Sequence, residues 1–347
     1  MNKIVFISGR LGGGGSERVL TLIANDLKEK GEDVSIITFG NYKEYANNYK
    51  IDCKVYPIRY KNDIDQIIKL RNQIKLLDAN IIIAFEYYIA MKTILACYGL
   101  KGKVIVSERN DPHKLDKNII KKLLRNILYK KADYLVCQTN DAARYFSNLG
   151  INNTVVIMNP VKSNLPTWKG ASSEKVIVNF CRLEKQKNLL LLINSFSIIH
   201  EKYPEFKLYI YGEGNEENEL KNKINDLGLQ DSIKIFPFSK EIHSIISNYY
   251  MFVSSSDYEG LSNSMLEAMA IGLPVICTDC PIGGANMVIQ HNKNGFLVPV
   301  NNEKALVDAM FYYIENPNKI IQISMEEKKV SENFSLENIV KEWRKII

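Results

Sequence analysis

The chain of 347 residues contains no run of 18 consecutive apolar residues, so no membrane-spanning helix is expected. Its opening, Met1 to Ser8, reads as a short strand rather than a signal peptide. Cysteine is unpatterned: the six thiols, at 53, 97, 137, 181, 277 and 280, are scattered through apolar segments. Cys277 and Cys280 form a lone C-x-x-C with no second cysteine or histidine pair, which argues against a zinc or redox site. Reduced thiols in a cytoplasmic protein are the expectation. A dinucleotide fingerprint is also missing. The four glycines at 12–15 do not form G-x-G-x-x-G, and the second expected strand, Val34 to Phe39, ends in Phe39-Gly40-Asn41-Tyr42 with no acid to hold a ribose. NAD and FAD are therefore not expected.

What is present is an ordinary globular composition, 46% hydrophobic and 24% charged, over a length that accommodates two domains. The net charge of +6 is unevenly placed. Residues 1–165 carry 26 Lys and Arg against 16 Asp and Glu, a net of +10, whereas residues 166–347 carry 19 against 23, a net of −4. The two halves should meet different partners, and nucleic acid is expected to be neither. Short apolar runs alternate with helix-length segments from Lys3 to Met158 and again from Val176 to Pro299. Such alternation implies right-handed crossovers and parallel sheets. The reading is an α/β chain of two doubly wound, Rossmann-like domains, 1–163 and 175–330, with a linker at 164–174 and a short terminal helix within 331–347. A ligand is expected in the cleft between them, at the carboxyl ends of the strands.

The most informative stretch is Ser254 to Thr278, which reads as strand, loop, helix, strand. Gly260 is expected to turn the backbone back sharply, Ser262 or Asn263 to cap the helix, and Gly272 with Pro274 to end it. The backbone N–H groups of Leu261, Ser262, Asn263 and Ser264 would then favour an anion. Glu259 in the loop and Glu267 on the helix bracket this start. Carboxylates there would repel phosphate, so their expected partners are hydroxyls on either side of one. The competing account makes Glu259 a solvated loop residue and Glu267 a favourable charge near its helix start.

The run E-G-L-S-N-S-M-L-E-A-M-A-I-G-L-P-V-I closely resembles the E-x7-E segment of family 4 of the retaining nucleotide-sugar glycosyltransferases, whose two domains form the GT-B fold. Phe180 to Asn188 (FCRLEKQKN) resembles that family's G-R-L-x-x-x-K-N loop, with Cys181 in place of the usual glycine. The resemblance implies that Arg182 and Lys187 neutralise the donor diphosphate, that Glu259 positions the donor sugar, and that Glu267 binds the ribose. It further implies a UDP-sugar donor, no metal, and retention by attack on one face of the sugar. No D-x-D motif in a suitable setting is present. Tyr211-Gly212-Glu213-Gly214 resembles the family's G-x-G turn and is given no catalytic role. The glycines Gly14 and Gly15, after the first strand, would let backbone approach the donor.

Two stretches bear on the acceptor. Ser107-Glu108-Arg109-Asn110-Asp111-Pro112 and Gly-Gly-Ser-Glu-Arg-Val around Glu17 resemble a subgroup that builds bacterial surface polysaccharides or lipid-linked oligosaccharides. Glu17, Glu108 and Arg109 are thus acceptor-side candidates, although Glu17 would equally favour its own helix start. In Lys117 to Lys131, the apolar residues Ile119, Ile120, Leu123, Leu124, Ile127 and Leu128 form one stripe, and Lys117, Lys121 and Arg125 line another face. Either the stripe packs on the core under a solvated basic face, or the basic face meets anionic lipid or a lipid-linked pyrophosphate. The expected placement is peripheral, at the inner face of the cell membrane. A sugar-nucleotide epimerase of the same fold and a non-catalytic nucleotide-sugar-binding subunit remain as rivals.

Overall fold

The computed structural model describes residues 2–11, 14–39, 50–114, 118–170 and 174–347. The chain divides into two compact units, residues 1–160 with 336–347, and residues 161–335.

The first unit contains β1 (Lys3–Ser8), α1 (Gly15–Glu29), β2 (Asp33–Phe39), β3 (Lys54–Ile58), α2 (Asp63–Leu76) and β4 (Ile81–Phe85). It continues through α3 (Tyr87–Cys97), β5 (Lys103–Ser107), α4 (Ile119–Tyr129), β6 (Tyr134–Cys137), α5 (Asn140–Asn148) and β7 (Thr154–Val156). Among the described residues all seven strands are parallel, in the order β3-β2-β1-β4-β5-β6-β7. The order reverses between β1 and β4, the doubly wound arrangement. The strands are nearly continuous apolar runs because helices cover both faces of a parallel sheet, and Ile4, Phe6, Ile7, Ile82, Ile83 and Ile105 are fully buried. On α1 the buried residues include Val19, Leu20, Ile23, Ala24 and Leu27, the set that helical spacing selects.

The second unit repeats the plan with β8 (Glu174–Phe180), α6 (Leu189–Lys202), β9 (Lys207–Tyr211), α7 (Glu217–Asp226), β10 (Ile233–Phe236) and α8 (Ile242–Ile246). Then follow β11 (Tyr249–Ser254), α9 (Asn263–Ile271), β12 (Val275–Thr278), β13 (Phe296–Val298), α10 (Glu303–Glu315) and α11 (Pro317–Asn333). Its strands are parallel, in the order β10-β9-β8-β11-β12-β13. The last helix, α12 (Leu336–Arg344), belongs to the first unit. There Trp343 is fully buried and stacks on Phe85 with ring centroids 5.9 Å apart.

The passage between units lies at Pro160–Val161, ahead of the expected linker at 164–174. Val161 donates its N–H to Phe334 O at 2.7 Å. Trp168, inside the expected linker, donates its indole N–H to Tyr249 O at 2.8 Å and its backbone N–H to Ile271 O at 2.8 Å. A buried indole held this way makes that segment part of the second unit's packing, and residues 171–173 lie outside the described residues. Likewise residues 331–335 stay with the second unit rather than with the terminal helix.

The larger correction concerns α4. Ile119, Ile120, Leu123, Leu124 and Ile127 face outward, whereas Arg125 is fully buried. Of the apolar stripe only Leu128 is buried. The helix is amphipathic as its spacing requires, but turned so that the guanidinium is buried, beside Tyr145 and Phe146 of α5.

Candidate active site

In the second sheet, β8 and β11 are neighbours at the point where strand order reverses, and ligands of open parallel sheets settle at strand carboxyl ends around such a point. Residues 181–188 follow β8 and residues 255–262 follow β11, so the two motif-bearing loops emerge side by side. Hydrogen bonds join them. Asp257 N–H donates to Gln186 O at 2.9 Å, and the Asn188 side-chain amide to the Asp257 carboxylate at 2.7 Å. The Ser255 hydroxyl reaches the carbonyls of Lys187 and Asn188 at 2.9 Å each. Ser262 caps α9 by accepting from Met265 N–H at 3.4 Å, and the Ser264 hydroxyl donates to Phe180 O at 2.6 Å. That last bond ties the helix start to the end of β8 and commits the Ser264 side chain to the fold.

Across this seam Lys187 forms an ion pair with Glu259. Their side chains are 12% and 21% exposed, shielded from bulk water but still reachable. Burial lowers the pKa of the Lys187 ammonium and the adjacent Glu259 raises it; the attraction prevails, holding the amine above the ordinary lysine range. Arg182 is turned toward Glu184 at 2.6 Å, with 58% of its side chain exposed. An ion pair so exposed is weak, so redirecting this guanidinium to another anion costs little.

Glu267 lies on α9, only 3% exposed, within 2.9 Å of His243 Nε2 on α8. His243 was not singled out from the sequence. A single histidine in a five-residue helix, 24 positions from its partner, leaves no local signal. Glu259 and Glu267 thus take different partners, a lysine and a histidine, despite their common motif.

Gly260 sits at a bend of the chain, as expected, but outside the left-handed region. Its carbonyl instead occupies the space a side chain on Gly284 would need, with Gly260 O only 1.8 Å from a Cβ placed there. Gly212 has a similar role: a Cβ would fall 1.8 Å from Cys181 O. The G-x-G turn therefore serves close packing against the 181–183 backbone, where Cys181 N–H and Leu183 N–H donate to Tyr211 O and Glu213 O. A small pocket beside α9 is lined by Glu259, Gly260, Ser262, Met265, Thr278 and Cys280. Burial pushes the Cys181 and Cys280 thiols up to about 12 and raises Cys277 as well, so all three stay protonated. Among the described residues no group of three or more His, Cys, Asp and Glu side chains gathers where it could hold a metal ion.

The donor-side glycines and the acceptor-side candidates of the first unit fare differently. Gly14 precedes α1 as its N-cap and Gly15 is its first residue. Glu17 is 3% exposed, accepts from Gly14 N–H at 3.0 Å, and lies 3.5 Å from Arg10 Nε. This is the helix-start role. Glu108, expected on the acceptor side, is buried instead. It accepts from the Tyr129 hydroxyl at 3.1 Å and from Arg109 N–H at 3.1 Å. Burial pushes its carboxyl up to about 7, against the lowering influence of Arg125 and these hydrogen bonds. Arg109 donates to Asn159 Oδ1 at 2.8 Å and lies 4.3 Å over the Phe85 ring; burial brings its pKa down to about 9. Arg125 donates to Pro112 O at 3.1 Å, to Tyr145 OH at 2.9 Å and to Asn126 Oδ1. It cannot serve on an exposed basic face, because its guanidinium is already spent inside. Lys121 is exposed, with its ammonium 5.3 Å from the Tyr88 ring. Lys117 lies outside the described residues.

Comparison with known proteins divides the chain at residue 165, close to the passage between units. Residues 13–165 match the family described as Glycosyltransferase Family 4, and residues 165–330 match Glycosyl transferases group 1. An uncharacterized glycosyltransferase of Haemophilus influenzae is 30% identical over 358 residues, spanning 100% of both chains. The N-acetylgalactosamine-N,N'-diacetylbacillosaminyl-diphospho-undecaprenol 4-alpha-N-acetylgalactosaminyltransferase of Campylobacter jejuni is 26% identical over 91% of each chain. The crystal structure of Anabaena HepE in complex with UDP and glucose superimposes with a TM-score of 0.88 at 19% identity, covering 99% of both chains, a likeness of fold.

Proposed function

Because the chain belongs to the family 4 glycosyltransferases of GT-B fold, we propose that it is a retaining enzyme of bacterial surface-glycan synthesis. It moves a hexose or N-acetylhexosamine from a UDP-sugar to a lipid-linked or polysaccharide acceptor. The observation that carries this reading is the Lys187–Glu259 pair, held between two strand-end loops where the sheet order reverses. The name of the Campylobacter relative, which specifies an undecaprenol-diphosphate acceptor, and the UDP bound to HepE support the choice of acceptor and donor.

In this mechanism the donor diphosphate draws the Lys187 ammonium and the exposed Arg182 guanidinium, the latter able to grip phosphate in bidentate fashion. The start of α9, around residues 261–264, adds the favourable end of a helix dipole. Glu259, exchanged from Lys187, accepts hydrogen bonds from donor-sugar hydroxyls. Glu267, oriented by His243, takes the ribose. The bond from the anomeric carbon to the diphosphate breaks with its electron pair passing to the phosphate oxygen, where the basic groups meet the growing charge. The acceptor hydroxyl attacks on the same face and its proton passes to that leaving oxygen. These basic groups fill the place a divalent ion would take, so turnover is expected to survive EDTA. Loss of activity in EDTA, restored by magnesium or manganese, would refute that part. The enzyme works peripherally at the inner face of the membrane.

Incubation with a panel of UDP-sugars, reading both UDP release and epimerised donor, tests the assignment. Acceptor-dependent UDP release is the expected result. Epimerised donor without UDP would make it an epimerase, and donor binding without either product a non-catalytic binding subunit.

A further inference from the structure

The outward face of α4 has no use in the donor chemistry. Ile119, Ile120, Leu123, Leu124 and Ile127 are 74, 76, 57, 43 and 60% exposed, and they fall within about 12 Å of helix length. A contiguous apolar row on a surface marks something that covers it. The rotation that exposes it is specified from within. Arg125 is bonded to Pro112 O and Tyr145 OH and lies 5.1 Å over the Phe146 ring, while Tyr129 donates to buried Glu108. Turning the helix to bury the leucines would leave a guanidinium and a carboxyl without these partners, a heavier loss than exposing apolar carbon.

The surroundings of the row indicate its occupant. No acidic residue occurs from 117 to 131, whereas Lys121 and Lys122 lie within the helix, Lys130 and Lys131 directly follow it, and Lys121, Lys130 and Lys131 are exposed. Tyr88 of α3, 47% exposed, lies beside Lys121. An apolar row bordered by ammonium groups and a tyrosine matches a lipid interface: alkyl groups enter the acyl boundary, lysines extend to phosphate headgroups, and the amphipathic phenol sits between. A second copy fits less well. A two-fold contact would set these lysines against their own copies, and five side chains of one helix fall well short of the roughly 800 Å² per partner of a stable interface.

We propose that α4 docks the protein on an anionic lipid surface by inserting Ile119, Ile120, Leu123, Leu124 and Ile127, with the bordering lysines on the headgroups. The inference rests on the membrane placement proposed above and makes its physics specific: apolar insertion dominates, and Arg125 takes no part at the surface.

Co-sedimentation with vesicles of phosphatidylglycerol and phosphatidylethanolamine, at low and high salt, tests it. The triple variant Ile120→Gln/Leu124→Gln/Ile127→Gln should partition about a hundredfold more weakly at either salt. Lys121→Gln/Lys130→Gln should lose about tenfold at low salt and less at high salt, where screening has already weakened these charges. Circular dichroism and UDP release with a water-soluble acceptor should match the wild type in both variants. Wild-type vesicle binding by the triple variant would overturn insertion, as would binding that salt and the lysine substitutions alone abolish. Failure of the wild type to bind, with a dimer in analytical ultracentrifugation that the triple variant dissociates, would assign the face to a second copy. Failure to bind without self-association would also overturn the proposal. If no UDP-sugar is ever turned over while vesicle binding follows the expected pattern, docking stands and the enzymatic reading fails.

Discussion

In the first unit Glu108 follows β5 and meets Tyr129, with Arg125 close enough to lower its pKa. In the second unit Lys187 follows β8 and pairs with Glu259 from the next loop. Both sets are charged groups just beyond strand ends, and both were candidates for contact with substrate. They differ in access. Arg125 is fully buried and Glu108 nearly so, with donors and acceptors already engaged by the fold, whereas Lys187 and Glu259 keep partial exposure beside a small pocket. A charge whose partners are all internal steadies its own unit. A partly exposed pair can exchange one partner for a ligand. Strand-end position is thus a poor guide to function until the partners of each charge are known.

The widest separation between the two regions should come from Arg125→Ala. Removing one member of a buried charged network costs about 3 to 5 kcal/mol, read as lowered stability in denaturant, with UDP-sugar affinity unchanged. A stable variant with weakened donor binding would erase the distinction drawn here.

Glu108 gives the next effect, through pH. Its carboxyl is pushed up to about 7 by burial, so the folded chain holds this proton more tightly than the unfolded one. The stability it contributes is full below the ordinary glutamate pKa of about 4.3 and is lost, by about 3 kcal/mol, as pH rises to about 7. Glu86, also raised to about 7, by burial and by Glu17, adds to the same window. The informative quantity is therefore the difference between wild type and Glu108→Gln, whose denaturation midpoint should fall less steeply from pH 4.5 to 7. Equal slopes would mean that Glu108 stays charged inside.

On the other side, Lys187→Ala should weaken donor binding by about 1.5 to 3 kcal/mol, the worth of a charge-assisted hydrogen bond, measured by titration calorimetry with a UDP-sugar. Wild-type affinity would remove Lys187 from the phosphate site. The smallest effect expected is that of His243→Ala, about 0.5 to 1.5 kcal/mol in donor affinity through loss of the Glu267 hydrogen bond. If His243→Ala instead matches Glu267→Ala in full, the histidine itself touches the donor.

Much of this molecule was readable locally. The alternation of strands and helices, the two parallel sheets, the placement of residues 181–188 and 255–262 after strands, and the Ser262 cap all follow from periodicity and turn chemistry within a few residues. The E-x7-E and R-L-x-x-x-K-N resemblances identified the family because they are contiguous. Three features were not readable. His243 reaches Glu267 only because α8 and α9 pack side by side. The passage between units moved to Pro160–Val161 because Trp168 found buried acceptors on Tyr249 and Ile271. For α4, helical spacing established two faces and could not say which one would be buried.

The sequence by itself therefore determined the elements, their parallel pairing and the two motif-bearing loops beyond the strand ends, since backbone propensity and apolar periodicity act over a single strand or helix turn. Tertiary structure alone decided the rotation of α4 and the access of each charge. Those depend on whether a guanidinium or carboxyl finds enough partners inside to offset leaving water, and for Arg125 the partners Pro112, Tyr145 and Phe146 come from other parts of the chain.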